Sequence, residues 1–93
     1  MADDVVRVRS VRPAGDRTLR VLFAGQRQAR DVDLTGLIAR SRHLAPLMQD
    51  EKAFARIEVI EDGLGVAWSV ETKWGRLDIS ASALRRIAEE QQG

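Results

Sequence analysis

The sequence predicts a single small α+β domain over residues 1–93, with a mostly antiparallel sheet of about five or six strands covered by a C-terminal helix and short central helices. Three observations carry this expectation. Short runs alternate apolar and polar residues with period two and are separated by turn residues, the pattern of half-buried strands. The last stretch, from Ser80 onward, changes to helical spacing. A composition of 44% apolar and 31% charged residues is that of a globular chain, too apolar for a disordered one.

Val6 and Val8 alternate with Arg7 and Arg9, which makes the first strand. The stretch "RPAGDR" is turn chemistry, and "TLRVLFA" then places Leu19, Val21 and Phe23 on one face with Arg20 and Leu22 on the other. With "GQRQ" as a four-residue hairpin loop, Val21 falls opposite Val32 and Leu19 opposite Leu34, which sets Arg20 against Asp33 and Leu22 against Asp31. Thr35 to Arg42 reads as one or two helical turns with Leu37 and Ile38 turned inward. Asp50 is placed to cap a short helix that has Glu51 in its first turn and buries Ala53 and Phe54.

Two further hairpins follow. A turn through "DGLG" pairs Val59 with Trp68 and Ile57 with Val70. A second, through "TKWG", sets Leu77 opposite Val70, Ile79 opposite Trp68 and Glu71 opposite Arg76. Ser80 is the expected N-cap of the last helix, whose inner face holds Ala81, Leu84, Ile87, Ala88 and Gln91. Its outer side offers Arg85 with Glu89 and Arg86 with Glu90 at i,i+4 spacing. The expected core is Val8, Val21, Phe23, Val32, Val59, Trp68, Ile79, Leu84 and Ile87.

Composition limits the chemistry. Without cysteine there are no disulfides, thiolate nucleophiles or zinc-thiolate sites. A net charge of +1, from 15 basic and 14 acidic residues, gives no long-range field to recruit phosphates. The opening "MADDVVRVRS" carries acids where a signal peptide would be basic, and no apolar run is long enough for a membrane span, so a cytoplasmic protein without a membrane partner is expected.

Candidate functional residues weigh against catalysis. Asp31 and Asp33 form a D-x-D that ion pairing accounts for better than a metal. His43 is the single histidine, no serine lies in a G-x-S-x-G elbow, and "DGLG" between strands is a turn rather than a phosphate loop. No cofactor and no enzymatic activity are expected. Arg7, Arg9 and Arg20 make a basic strip, the nearest thing to a nucleic-acid footprint, although a solvated face is the stronger reading. Trp74, in the "TKWG" turn and outside the alternation, is the preferred interface anchor, with Leu22 on an outer sheet face as its second.

The segments "DVDL", "APLMQDEKAF", "VAW" and "GRLDIS" before the terminal helix resemble the bacterial family called domain of unknown function 2442 over nearly the whole chain. Val32-Asp33-Leu34, Pro46-Leu47 with Asp50 and Phe54, Trp68, and Leu77-Asp78-Ile79-Ser80 carry the likeness. It implies a compact α+β domain, found alone or fused ahead of a helix-turn-helix, with no established catalytic residues. Genes of that family often lie beside those of domain of unknown function 4160, which implies an antitoxin-like pair. The resulting expectation is a non-enzymatic module for protein–protein interaction, its partner a small toxin-like protein encoded nearby or a second copy of itself. The alternative is a small nucleic-acid-binding transcriptional regulator.

Overall fold

The computed structural model describes residues 5–72 and 75–92, with the backbone alone at 43, 48, 49, 70–72 and 92. Its strands are β1 (Val8–Pro13), β2 (Thr18–Phe23), β3 (Arg30–Asp33), β4 (Ile57–Ile60), β5 (Gly65–Thr72) and β6 (Gly75–Ser80). Between β3 and β4 lie three short helices, α1 (Thr35–Arg40), α2 (Pro46–Gln49) and α3 (Glu51–Ala55), and the chain continues from β6 into α4 (Ala81–Gln92).

The strands form two three-stranded antiparallel sheets, β1-β2-β3 and β4-β5-β6, rather than the single larger sheet expected from the alternation. Alternation reports which face a residue takes and says nothing about which edges join. Here β1 and β4 pack side by side without a hydrogen-bonded ladder between them. The approach is close: a Cβ on Gly63, in the turn after β4, would lie 2.8 Å from the Val8 carbonyl oxygen. Gly63 also has φ of +91°, so both its backbone and its surroundings require glycine.

The hairpins keep the expected faces with different partners. Leu19 pairs with Val32, Arg20 with Asp31 and Val21 with Arg30, two residues away from the predicted register. The β2 strand runs on to Phe23, where the Gln26 N–H donates to the Phe23 carbonyl at 3.1 Å, and β3 begins only at Arg30. In the second sheet Ile57 pairs with Trp68 and Val59 with Val66, again slipped by two. The glycine at 65 belongs to the strand, where a side chain would meet the Ile79 carbonyl at 3.1 Å, so the turn is "EDGL". Glu71 does pair with Arg76, but the register shifts between Trp68 and Glu71, so that Trp68 faces Leu77 and Val66 faces Ile79. A slip of two leaves every side chain on its original face.

The core joins both sheets and the helices: Phe23, Leu19, Val32, Leu34, Phe54, Trp68 and Leu84 are all buried. Val59 and Ile87, expected inside, are only half-buried and pack at its margin. Trp68 donates its Nε1–H to the Phe54 carbonyl at 2.9 Å and its ring lies 5.9 Å from that of Phe54, so the one polar atom of the indole is satisfied inside the core. Both predicted caps form. Asp50 Oδ1 accepts from the N–H groups of Lys52 and Ala53, and Ser80 Oγ accepts from Ala83 at 3.1 Å. Ala81, Leu84 and Ala88 bury one face of α4. Near its end Gln91 clamps β3, accepting from the Asp33 N–H at 3.0 Å and donating to the Asp33 carbonyl at 2.7 Å.

Candidate interaction face

The outer face of β1-β2-β3 is organised by one extra residue. Val8 pairs with Phe23 and Ser10 with Leu22, so Arg9 is a bulge in β1. The bulge reverses the alternation, so that Val11 packs against the core and Arg12 stands on the outer face opposite Arg20. Arg20 is in turn opposite Asp31. A row of three charges therefore crosses the sheet, Arg12, Arg20 and Asp31, with Ser10 and Leu22 forming the adjacent row.

Arg20 grips Asp31 with a forked pair of hydrogen bonds, Nε to Oδ1 at 2.8 Å and Nη2 to Oδ2 at 3.3 Å. The hydrogen bond from Arg20 holds the Asp31 carboxyl below the usual carboxylate range, with the charges of Arg20 and Arg12 acting in the same direction. Both side chains are about half exposed, so the pair orients the guanidinium more than it stabilises the fold. Asp33 is engaged differently: its Oδ1 accepts the Thr35 N–H at 2.9 Å at the start of α1, and that bond lowers its carboxyl pKa. The partner of Arg20 is thus Asp31 and not Asp33 as the predicted register had it.

Two shallow depressions meet on this face. One is lined by Arg20, Arg27, Arg30 and Asp31 with neighbouring loop residues, the other by Ser10, Arg12, Arg20, Leu22 and Arg27. Their shared residues make one groove along the 24–29 loop, with Arg12, Arg20 and Arg27 against a single carboxylate and Leu22 at its half-buried apolar point, while Arg30, opposite the inward Val21, belongs to the other face of the sheet. Nη1 of Arg30 is buried without a hydrogen-bond partner among the described residues. A surface of forked guanidinium donors around a small apolar spot suits carboxylates or phosphates carried on a larger partner.

The residues singled out from sequence are dispersed. Arg7 leaves the sheet face, its Nη1 donating to the Asp62 carbonyl at 2.8 Å and its carboxylate at 3.1 Å, and so ties the start of β1 to the turn after β4. Arg9 is the exposed bulge residue, and Arg20 and Leu22 lie together in the groove. Trp74 lies outside the described residues. Arg12 and Arg27 were missed. The signal for Arg12 is present in "VRSVR", where two polar residues separate Val8 from Val11 and break the alternation where the bulge occurs. Among the described residues no group of three or more metal-ligating side chains comes together and no helix is long and apolar enough to cross a membrane.

No family model and no curated protein match the chain. Among solved structures it is similar to a candidate DNA-binding protein from Nitrosomonas europaea ATCC 19718, with a TM-score of 0.75 and 25% sequence identity. The similarity covers 95% of this chain and 52% of that one, so the chain spans about half the neighbour's length.

Proposed function

We propose that the chain is a non-enzymatic binding module that acts through a protein partner, presenting the outer face of β1-β2-β3. The observation that carries this reading is the groove in which Arg12, Arg20 and Arg27 surround Leu22. Arginine with a central apolar residue is the composition of protein interfaces, whereas base stacking calls for exposed aromatic rings. Among the described residues the aromatic rings, those of Phe23, Phe54 and Trp68, are all buried in the core. The resemblance described above supports a small toxin-like partner encoded beside this chain, which it would neutralise, with Trp74 as a further anchor. Co-expression with a tagged product of the neighbouring gene tests this. The two proteins are expected to co-elute, and Leu22→Asp is expected to separate them while leaving the fold intact. Failure of the wild-type chain to co-elute would overturn the assignment of that partner.

One observation favours a second reading, a nucleic-acid-binding regulator: the neighbour from Nitrosomonas europaea is described as a candidate DNA-binding protein. The groove arginines would then contact phosphates. Duplex DNA titrated at several salt concentrations separates the two. Micromolar affinity whose logarithm falls steeply with log salt, with a slope reduced by roughly one in Arg12→Ala, supports the nucleic-acid reading.

A further inference from the structure

We infer that the free edge of β6 pairs with the same edge of a second copy of this chain, joining the two second sheets across a two-fold axis at Leu77. Among the described residues β6 has β5 as its one strand partner. The direction of its backbone groups follows from one hydrogen bond: the Ala81 N–H donates to the Leu64 carbonyl at 2.8 Å. Bonds in an antiparallel ladder recur at every second residue, so Ile79 and Leu77, opposite Val66 and Trp68, direct their N–H and C=O groups toward β5. Arg76 and Asp78 therefore direct theirs away from the sheet. An unpaired row of this kind is a template for another strand.

Charge selects the register. Backbone groups that face outward can pair only with others that face outward, and three two-fold registers set Arg76 and Asp78 against themselves or each other. One sets Arg76 against Arg76, one sets Asp78 against Asp78, and the third, centred on Leu77, sets each Arg76 against Asp78 of the other copy. The first two oppose like charges directly across the ladder; the third forms two opposite-charge pairs and about four backbone hydrogen bonds. Within one chain Arg76 and Asp78 are 3.7 Å apart and each is about half exposed, so both are available for exchange across the axis. Leu77 and Ile79 stay in the core of their own chain and are not part of the contact. An isologous contact of this form closes at two subunits. It lies on the second sheet and holds or fails independently of the arginine groove on the first.

Sedimentation equilibrium from about 10 μM to about 1 mM at low salt tests the contact on the whole chain. The wild-type chain is expected to dimerise within this range, and Asp78→Arg to weaken the dimer by at least about tenfold, since each substitution counts twice across the axis. Exchanging the charges, Arg76→Asp with Asp78→Arg, is expected to restore it. Far-UV circular dichroism establishes that both variants, altered only at exposed side chains, are folded. A monomer at every concentration, an association that Asp78→Arg leaves unchanged, or an exchanged pair that stays monomeric overturns the inference.

Discussion

Strands β2 and β5 are the middle strands of their two sheets, yet the protein uses them differently. Along β2 buried and half-buried residues alternate, Leu19, Val21 and Phe23 inward and Arg20 and Leu22 outward. In β5, Val66, Ala67 and Trp68 are consecutive and all fully buried: Val66 and Trp68 belong to the core, and Ala67 lies between Glu58 and Asp78 of the neighbouring strands. The first sheet keeps one bare face, and there the arginine row and Leu22 stand. Under the proposed function, substitutions at β5 are expected to change stability and substitutions on the outer face of β2 to change binding.

The most direct way to break the comparison is at β5. Trp68→Ala removes a fully buried indole and its hydrogen bond to Phe54, and is expected to cost about 3–5 kcal/mol in urea unfolding. A loss below about 1 kcal/mol would mean that β5 is not the centre of the core. Gly63→Ala probes the seam between the sheets. The left-handed backbone and the 2.8 Å approach to the Val8 carbonyl together predict a loss of about 2 kcal/mol or more, read from the same unfolding curves. Gln91→Ala releases α4 from β3 and is expected to cost about 1 kcal/mol, with faster hydrogen exchange at the Asp33 amide.

The smallest effect sharpens the first sheet. Asp31 and Asp33 both titrate below the ordinary carboxylate range, Asp31 chiefly through the hydrogen bond from Arg20 and Asp33 through that from the Thr35 backbone. A carboxyl whose folded pKa is lowered contributes stability above its unfolded value, about pH 4, and that contribution is lost as pH falls through the folded value. Carbon-detected NMR titration is expected to show both midpoints depressed. Arg20→Ala should return Asp31 toward its ordinary value and leave Asp33 where it was. Movement of Asp33 instead would mean that the register of β2 with β3 is wrong.

These elements also mark what a sequence reveals. Facing was legible along β2 and at the centre of β5, since alternation follows directly from burial: Leu19, Val21, Phe23 and Trp68 lie inside as their spacing requires. Partners were not. Whether four residues or more close a hairpin depends on which glycine takes the left-handed turn and which is pressed against a neighbouring carbonyl, as Gly63 and Gly65 are. That is a property of the packed molecule. For the same reason the strip expected from Arg7, Arg9 and Arg20 became the row of Arg12, Arg20 and Asp31: a single bulge at Arg9 turned the rest of β1 over.

The central claim is that the outer face of the first sheet serves binding and contributes little to folding. The variant carrying Arg12→Glu with Arg27→Glu tests it most directly, because both side chains are exposed and both line the groove. Urea unfolding and co-elution with the product of the neighbouring gene are to be measured on the same preparation. The account predicts stability within about 1 kcal/mol of the parent chain and binding weakened at least about tenfold. Unchanged binding, or a loss of several kcal/mol of folding stability with binding lost only in proportion, would contradict it.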